Sequence, residues 1–334
     1  MDFAVLWAFL IAFAVFAYVV LDGFDLGTGI LFPFLGRHES RDTAMNSVAP
    51  IWDGNETWLV LGGGGLFAVF PLAYAIIMPA LYAPIIAMLL ALIFRGVAFE
   101  YRFKTVRGRW MWDVSFFTGS LVAAFCQGLA LGTLVQGIEV SNRAYAGGWF
   151  DWLTPFSLMT GVAVVAGYAL LGATWLVMKT EGDVHDIARR YAYVLAGATL
   201  AAIGIVSLWM AYLQPEFYTR WFSSTAQFAS VAWVPLLLMV FAFSLFQSLL
   251  AGRHYRPFFS VLGLFLLCFV GLGINFYPNI IPPDVTIWQA AAPESSLIFL
   301  LVGAAVLIPA ILIYTGFAYW IFRGKVREGE GYHH

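Results

Sequence analysis

The stretch from Phe3 to Phe34, FAVLWAFLIAFAVFAYVVLDGFDLGTGILFPF, decides the fold class. A single membrane span takes roughly 20 apolar residues, and this run exceeds that with Asp22 and Asp25 as its only charged side chains. It lacks the cationic start and small-residue cleavage site of a removed signal peptide, so a retained first helix is expected. A carboxylate inside the hydrocarbon layer is costly, and marks a path for protons or ions or a polar contact that assembles a complex.

The rest of the 334 residues follows suit. Hydrophobic residues make up 62% and charged residues 11%, with a mean hydropathy of +0.84. This is the composition of an all-α integral membrane protein, not of a soluble domain. Nine apolar stretches are expected as transmembrane helices, near 3–34, 51–73, 76–100, 114–138, 155–178, 190–212, 228–250, 257–275 and 295–322. They form one transmembrane domain with no linker that divides it. Of the 17 Lys and Arg, all but Arg143 and Arg220 fall on one side of this arrangement. Cationic loops stay cytoplasmic, so the N-terminus is expected in the periplasm and the C-terminus in the cytoplasm. The second and third spans are expected to form a tight hairpin, because Phe70-Pro71-Leu72-Ala73-Tyr74 leaves almost no loop between them. The net charge of −2 and the lack of a basic tract give no support for a nucleic-acid partner.

The candidate chemistry gathers in the first third. Asp22 and Asp25 are three residues apart on the first span, and Asp53 and Glu56 have the same spacing on the second, so each pair shares a helix face. Asp25 lies about ten residues, or roughly 15 Å, above the inner end of its helix. Asp53 lies near the inner start of the second span, and the third span brings Arg95 and Glu100 back to a comparable level. One guanidinium does not neutralise five carboxyl groups at low dielectric, so some of the acids are expected to hold a proton at neutral pH. Acids that open inward are what a proton-uptake path requires; the structural reading is that Arg95 pairs with one or two of them while the rest reach the headgroups. Gly62-Gly63-Gly64-Gly65 allow a neighbouring helix to come close, and Trp52 and Trp58 flank the acidic pair as candidate quinone neighbours.

His38, His185, His254, His333 and His334 all fall in cytoplasmic loops or the tail, so no membrane haem with a His axial ligand is expected in this chain. No nucleotide loop or cysteine cluster is present. Cys126 and Cys268 sit within spans as packing residues, with no disulfide expected. The chain by itself offers no means of moving electrons.

The segments Leu21-Asp22-Gly23-Phe24-Asp25-Leu26-Gly27 and Trp52-Asp53-Gly54-Asn55-Glu56-Thr57-Trp58-Leu59-Val60 resemble subunit II of the cytochrome bd family of quinol oxidases. Phe276-Tyr277-Pro278-Asn279-Ile280-Ile281-Pro282, Thr286-Ile287-Trp288, and Tyr314 through Tyr319-Trp320 into Arg323-Gly324-Lys325-Val326 extend the likeness over the full length. The short loops are similar to those of the compact, cyanide-insensitive branch. The resemblance implies two four-helix bundles plus one peripheral helix, in a bacterial inner membrane. It also implies a larger partner, subunit I, that carries haem b, haem d and the quinol-oxidising loop, and it allows for a small accessory subunit. Such a complex oxidises quinol, reduces dioxygen to water and takes its protons from the cytoplasm. Asp22, Asp25 and Asp53 match the family's proton-path acids, Trp52 is placed near a structural quinone, and Glu56 stands where many relatives carry Gln. The competing reading from the residues alone is a proton- or sodium-coupled secondary transporter built on the acid cluster and the glycine-rich second span.

Overall fold

The computed structural model describes residues 2–36, 38–213, 218, 219, 221, 223, 224, 228, 229 and 231–326. Arg37, Arg220, Arg327, His333, His334 and part of the 213–232 connection lie outside the described residues. The helices are α1 (Phe3–Leu31), α2 (His38–Val48), α3 (Trp52–Val69), α4 (Pro71–Ala80), α5 (Tyr82–Arg102), α6 (Arg109–Gln136), α7 (Pro155–Lys179), α8 (Gly182–Leu213), α9 (Trp233–Leu250), α10 (Arg256–Phe276), α11 (Ile287–Ala290) and α12 (Glu294–Ile321). Two small antiparallel hairpins complete the chain, β1 (Val140–Ser141) with β2 (Ala144–Tyr145), and β3 (Asn279–Ile281) with β4 (Val285–Thr286). The first turns through Asn142 and Arg143, both at positive φ, as a two-residue hairpin loop demands.

Eight of the described helices are long and apolar enough to cross a membrane, so this is an all-α, multi-pass membrane protein. The second span of the expected nine, α3, is not among those eight. Asp53, Asn55, Glu56 and five glycines dilute its 18 residues.

The expected hairpin of 51–73 and 76–100 takes a different form. The backbone breaks at Phe70 (φ −123°, ψ 62°) and again at Leu81 (φ −111°, ψ 19°), which sets α4 apart as a short helix between α3 and α5. Pro71 opens α4 and Pro84 lies in the first turn of α5. Proline has no N–H to continue a helical ladder, so each favours a helix start where it stands. The connection 35–50, expected as a loop, holds α2, in which Ser40 and every residue from Thr43 to Val48 are buried. Helix α8 begins at Gly182, eight residues before the expected start, in the polar segment with Asp183, His185 and Arg189.

Helix α7 is the core of the molecule, with 72% of its most apolar window buried, against 6% for α12. Lipid tails are as apolar as leucine, so helices in a membrane associate through close packing of small residues. A Cβ at Gly27 of α1 collides with the Tyr168 carbonyl of α7, and one at Gly172 collides with the backbone at Gly27 and Thr28. The two main chains therefore touch at that crossing. Gly128 and Gly161 do the same for α6 and α7. The four-glycine run of α3 fulfils its expected packing role on one face only: Gly62 and Gly65 lie against Val15 and Ile11 of α1, while Gly63 and Gly64 face open space.

Gly27→Ala is expected to lower the melting temperature of the purified protein, by an amount equivalent to roughly 1–3 kcal/mol. Gly63→Ala is expected to cause no loss. Equal melting temperatures for the two variants in a detergent thermal shift would contradict the main-chain contact.

Candidate functional site

The inner half of α1 is buried without a break from Asp22 to Leu31, so its two carboxyl groups have no route to water along their own helix. Arg95, from α5, is fully buried as well. Its Nη1 donates to Asp22 Oδ1 at 2.6 Å and its Nη2 to Glu56 Oε2 at 2.9 Å. The guanidinium lies 5.9 Å from the centroid of the Trp52 ring, which stacks on Phe99 at 4.8 Å with 7° between planes.

Asp25 has a different partner. Its Oδ2 accepts from Asn55 Nδ2 at 2.8 Å, and that amide also donates to the Leu21 carbonyl at 3.3 Å. Asn55 Oδ1 in turn accepts from the Tyr319 hydroxyl of α12 at 2.9 Å. On the other side of α1, the Tyr168 hydroxyl donates to Gln127 Oε1 at 2.6 Å, and Gln127 Nε2 donates to the Tyr18 hydroxyl at 2.8 Å. Asp22 Oδ2, Asp25 Oδ1 and Arg95 Nε are buried with no protein partner. Orphaned buried polar atoms are rare in stable folds and point to water, an ion or a function.

The structure thus brings together Asp22, Asp25, Glu56 and Arg95 of the six expected residues. Asp53 and Glu100 stand apart, which corrects the expected gathering of five acids. Asp53 is exposed in the first turn of α3. Glu100 is exposed and pairs at 3.3 Å with Lys104, two residues beyond the end of α5. Trp58 is buried, with its ring edge-on to Phe13. Sequence reasoning passed over Asn55 and Tyr319, which carry no charge and gave only a polar motif position and an aromatic near a helix end.

A second buried ionic cluster was also missed. Arg102 donates to Asp113 and to Asp42, both at 2.6 Å; Arg109 donates to Asp42 at 2.6 Å and Arg41 to Asp113 at 3.0 Å. It ties α2 to the α5–α6 turn, with Arg102 over the Phe32 ring at 5.0 Å. The signal was the equal mix of signs in a connection counted only for its cations.

A cavity of about 680 Å³ opens beside this site, walled mostly by apolar side chains between Val15 of α1 and Asn275 of α10. Trp58, Gly62, Tyr18, Gln127, Tyr168 and Thr199 line it; Trp52 does not.

Residues 3–322 match the family profile described as cytochrome bd terminal oxidase subunit II. The chain belongs to that family. It is similar to the cytochrome bd-I ubiquinol oxidase subunit 2 of Escherichia coli K12, at 33% identity over 97% of this chain and 95% of that one. The cytochrome bd ubiquinol oxidase subunit 2 of Bacillus subtilis 168 is 30% identical, with 97% of each chain covered. Among solved structures, a chain of the bd oxidase from Geobacillus thermodenitrificans matches in fold with a TM-score of 0.72 at 20% identity, covering 94% of this chain and 98% of that one. The protein is accordingly the second subunit of a quinol:oxygen oxidoreductase complex, and the transporter reading is not favoured.

Removing one partner of a buried ion pair strands a charge and costs about 3–5 kcal/mol. Arg95→Gln is expected to lose that much, seen as a fall in assembled subunit in membranes, and adding Asp22→Asn is expected to restore part of it. Glu100→Gln is expected to stay within about 0.5 kcal/mol. Equal losses for Arg95→Gln and Glu100→Gln would contradict the assignment.

Proposed function

We propose that this chain feeds cytoplasmic protons toward the oxygen-reducing centre of a haem-bearing subunit I while serving as that subunit's scaffold in the bacterial inner membrane. The observation that carries the reading is Asp25: a fully buried carboxyl group whose hydrogen-bond partner is an amide, with one oxygen left unpartnered. Arg95 is already engaged by Asp22 and Glu56. Three acids stand around one guanidinium, and an ionisable group buried in the membrane without an ion partner is a candidate proton carrier. Asp22 and Glu56 orient the cation. Asp53, exposed on α3, is suited to receive protons at the surface or at the subunit contact.

The cationic loops support a periplasmic N-terminus and cytoplasmic C-terminus. Counting α3 with the eight apolar helices gives nine spans, and the lack of burial of α12 supports two four-helix bundles with that helix at the edge. The partner is subunit I with haem b and haem d, joined in some members by a small accessory subunit.

A structural quinone fits the cavity beside Trp58. Its size is typical of small-molecule sites, its walls are mostly apolar, and Tyr18, Gln127, Tyr168 and the unpartnered Thr199 hydroxyl supply polar atoms. When bound there, a quinone supplies a rigid ring and a lipid-like tail that fill the space between helices. Trp52, whose ring is held by Phe99 and Arg95, is a support for the ion pair and not a wall of that site.

In complexes with an intact haem spectrum, Asp25→Asn is expected to reduce oxygen consumption about a hundredfold, the lower end of what a positioned proton-transfer group contributes. Unchanged turnover and unchanged charge translocation would reduce this subunit to scaffolding.

A further inference from the structure

Pro50 and Ile51 before α3, Gly54 and Asn55 in its first turn, and Tyr314, Thr315, Ala318 and Tyr319 of α12 enclose a small cleft between the two helices. Its volume is about 20 Å³, enough for one water molecule. Asn55 and Tyr319 belong to the wall of this cleft and also to the hydrogen-bonded chain that ends on Asp25. The other oxygen of that carboxyl group, Asp25 Oδ1, is buried and unpartnered. We infer that the α3–α12 cleft is the water inlet of the subunit, through which cytoplasmic water reaches Asp25 past the Tyr319 hydroxyl and the Asn55 amide. This inference rests on the proton-feeding role proposed above.

Three features favour this position over others on the molecule. Asp22 and Glu56 are paired with Arg95, which leaves Asp25 as the acid of the three free of an ion pair. The cleft lies at the end of α12 that leads into Arg323 and Lys325, the cytoplasmic end by the charge rule. That end is also fixed in place. Lys179 Nζ donates to the carbonyls of Phe322 and Gly324, and the Val326 N–H donates to the Lys179 carbonyl at 2.8 Å. Higher up, α12 is almost bare, so this clamp and the Tyr319–Asn55 bond set the width of the cleft. The Tyr319 ring stands edge-on to Phe24 and Trp175, which orients its hydroxyl toward Asn55.

An amide does not relay protons readily, so Asn55 and Tyr319 act as positioning residues: they hold a water where it is able to reach the acid. The water accepts a proton from the cytoplasmic side as it gives one to the Asp25 carboxylate, so it stays water, and Asp25 takes that proton after it has released its own toward subunit I.

The test places a thiol in the wall. Thr315→Cys is prepared in the whole complex, with Gly54→Cys on the opposite wall for use if the first does not assemble, since a Cβ at Gly54 meets nothing closer than 4.0 Å. Turnover and haem spectrum are read before and after a charged, membrane-impermeant thiol reagent is applied to inside-out and right-side-out vesicles. The parent complex, with Cys126 and Cys268 in place, is treated in parallel. The expected result is modification from the cytoplasmic face alone, with most of the turnover lost and the haem spectrum unchanged. Modification only from the other face, no modification, or modification that leaves turnover intact each overturns the inlet. Asp25→Asn separates the two levels: if it stops turnover while the modified thiol does not, the inlet fails and the proton-feeding role stands; if it leaves turnover unchanged, the role itself fails.

Discussion

The guanidinium of Arg95 is the constraint on which this structure depends. An arginine does not shed its proton, so its charge, once buried, must be met by fixed acceptors. Asp22 and Glu56 meet it from two different helices, at 2.6 and 2.9 Å. That requirement fixes the rotation of α1, α3 and α5 relative to one another, and packing completes the arrangement. Trp52 lies between Arg95 and Phe99, and the small residues of α1 and α7 bring the helices close enough for a dry core. Asp25, three residues on from Asp22, is carried inside by the same helix face without a cation of its own. The buried Asp25 carboxyl group is thus a by-product of the geometry that satisfies the ion pair, and its amide partner Asn55 is set by the same placement of α3.

The second ionic cluster shows the same logic at the inner membrane edge. Arg102, Asp113 and Asp42 lock the α5–α6 turn onto α2. Lys179 does comparable work at the end of α12. At the opposite end of the helices lie the small hairpins and Trp288, whose indole N–H donates to Asp2 at 2.7 Å.

Much of this was legible in the sequence, because hydropathy and charge placement report directly on the membrane. The fold class, the burial of Asp22 and Asp25 and the pairing of Arg95 with acids all followed from that source. What went astray was helical phase. Depth alone put Glu100 level with Arg95, but five residues at 3.6 per turn rotate it about 140° around α5, onto the exposed face with Lys104. Asp53 and Glu56 differ by about 60°, enough at the start of a helix to leave one in the open and the other against Arg95. Asn55 and Tyr319 carried no charge and stood out in no composition measure, although their hydrogen bonds lead to the acid. The short helices α2 and α4 escaped because a window sized for a span averages over them, and proline placement at 71 and 84 was the available clue.

The proposed role of Asp25 requires its carboxyl group to take up and release a proton during turnover, since the cation beside it is already engaged by Asp22 and Glu56. Infrared difference spectroscopy of the assembled complex tests it most directly, through the carbonyl stretch of a protonated carboxylic acid. The account predicts such a band during turnover, shifted in D₂O and absent from Asp25→Asn. A spectrum with no such band, or one that Asp25→Asn leaves untouched, would contradict it.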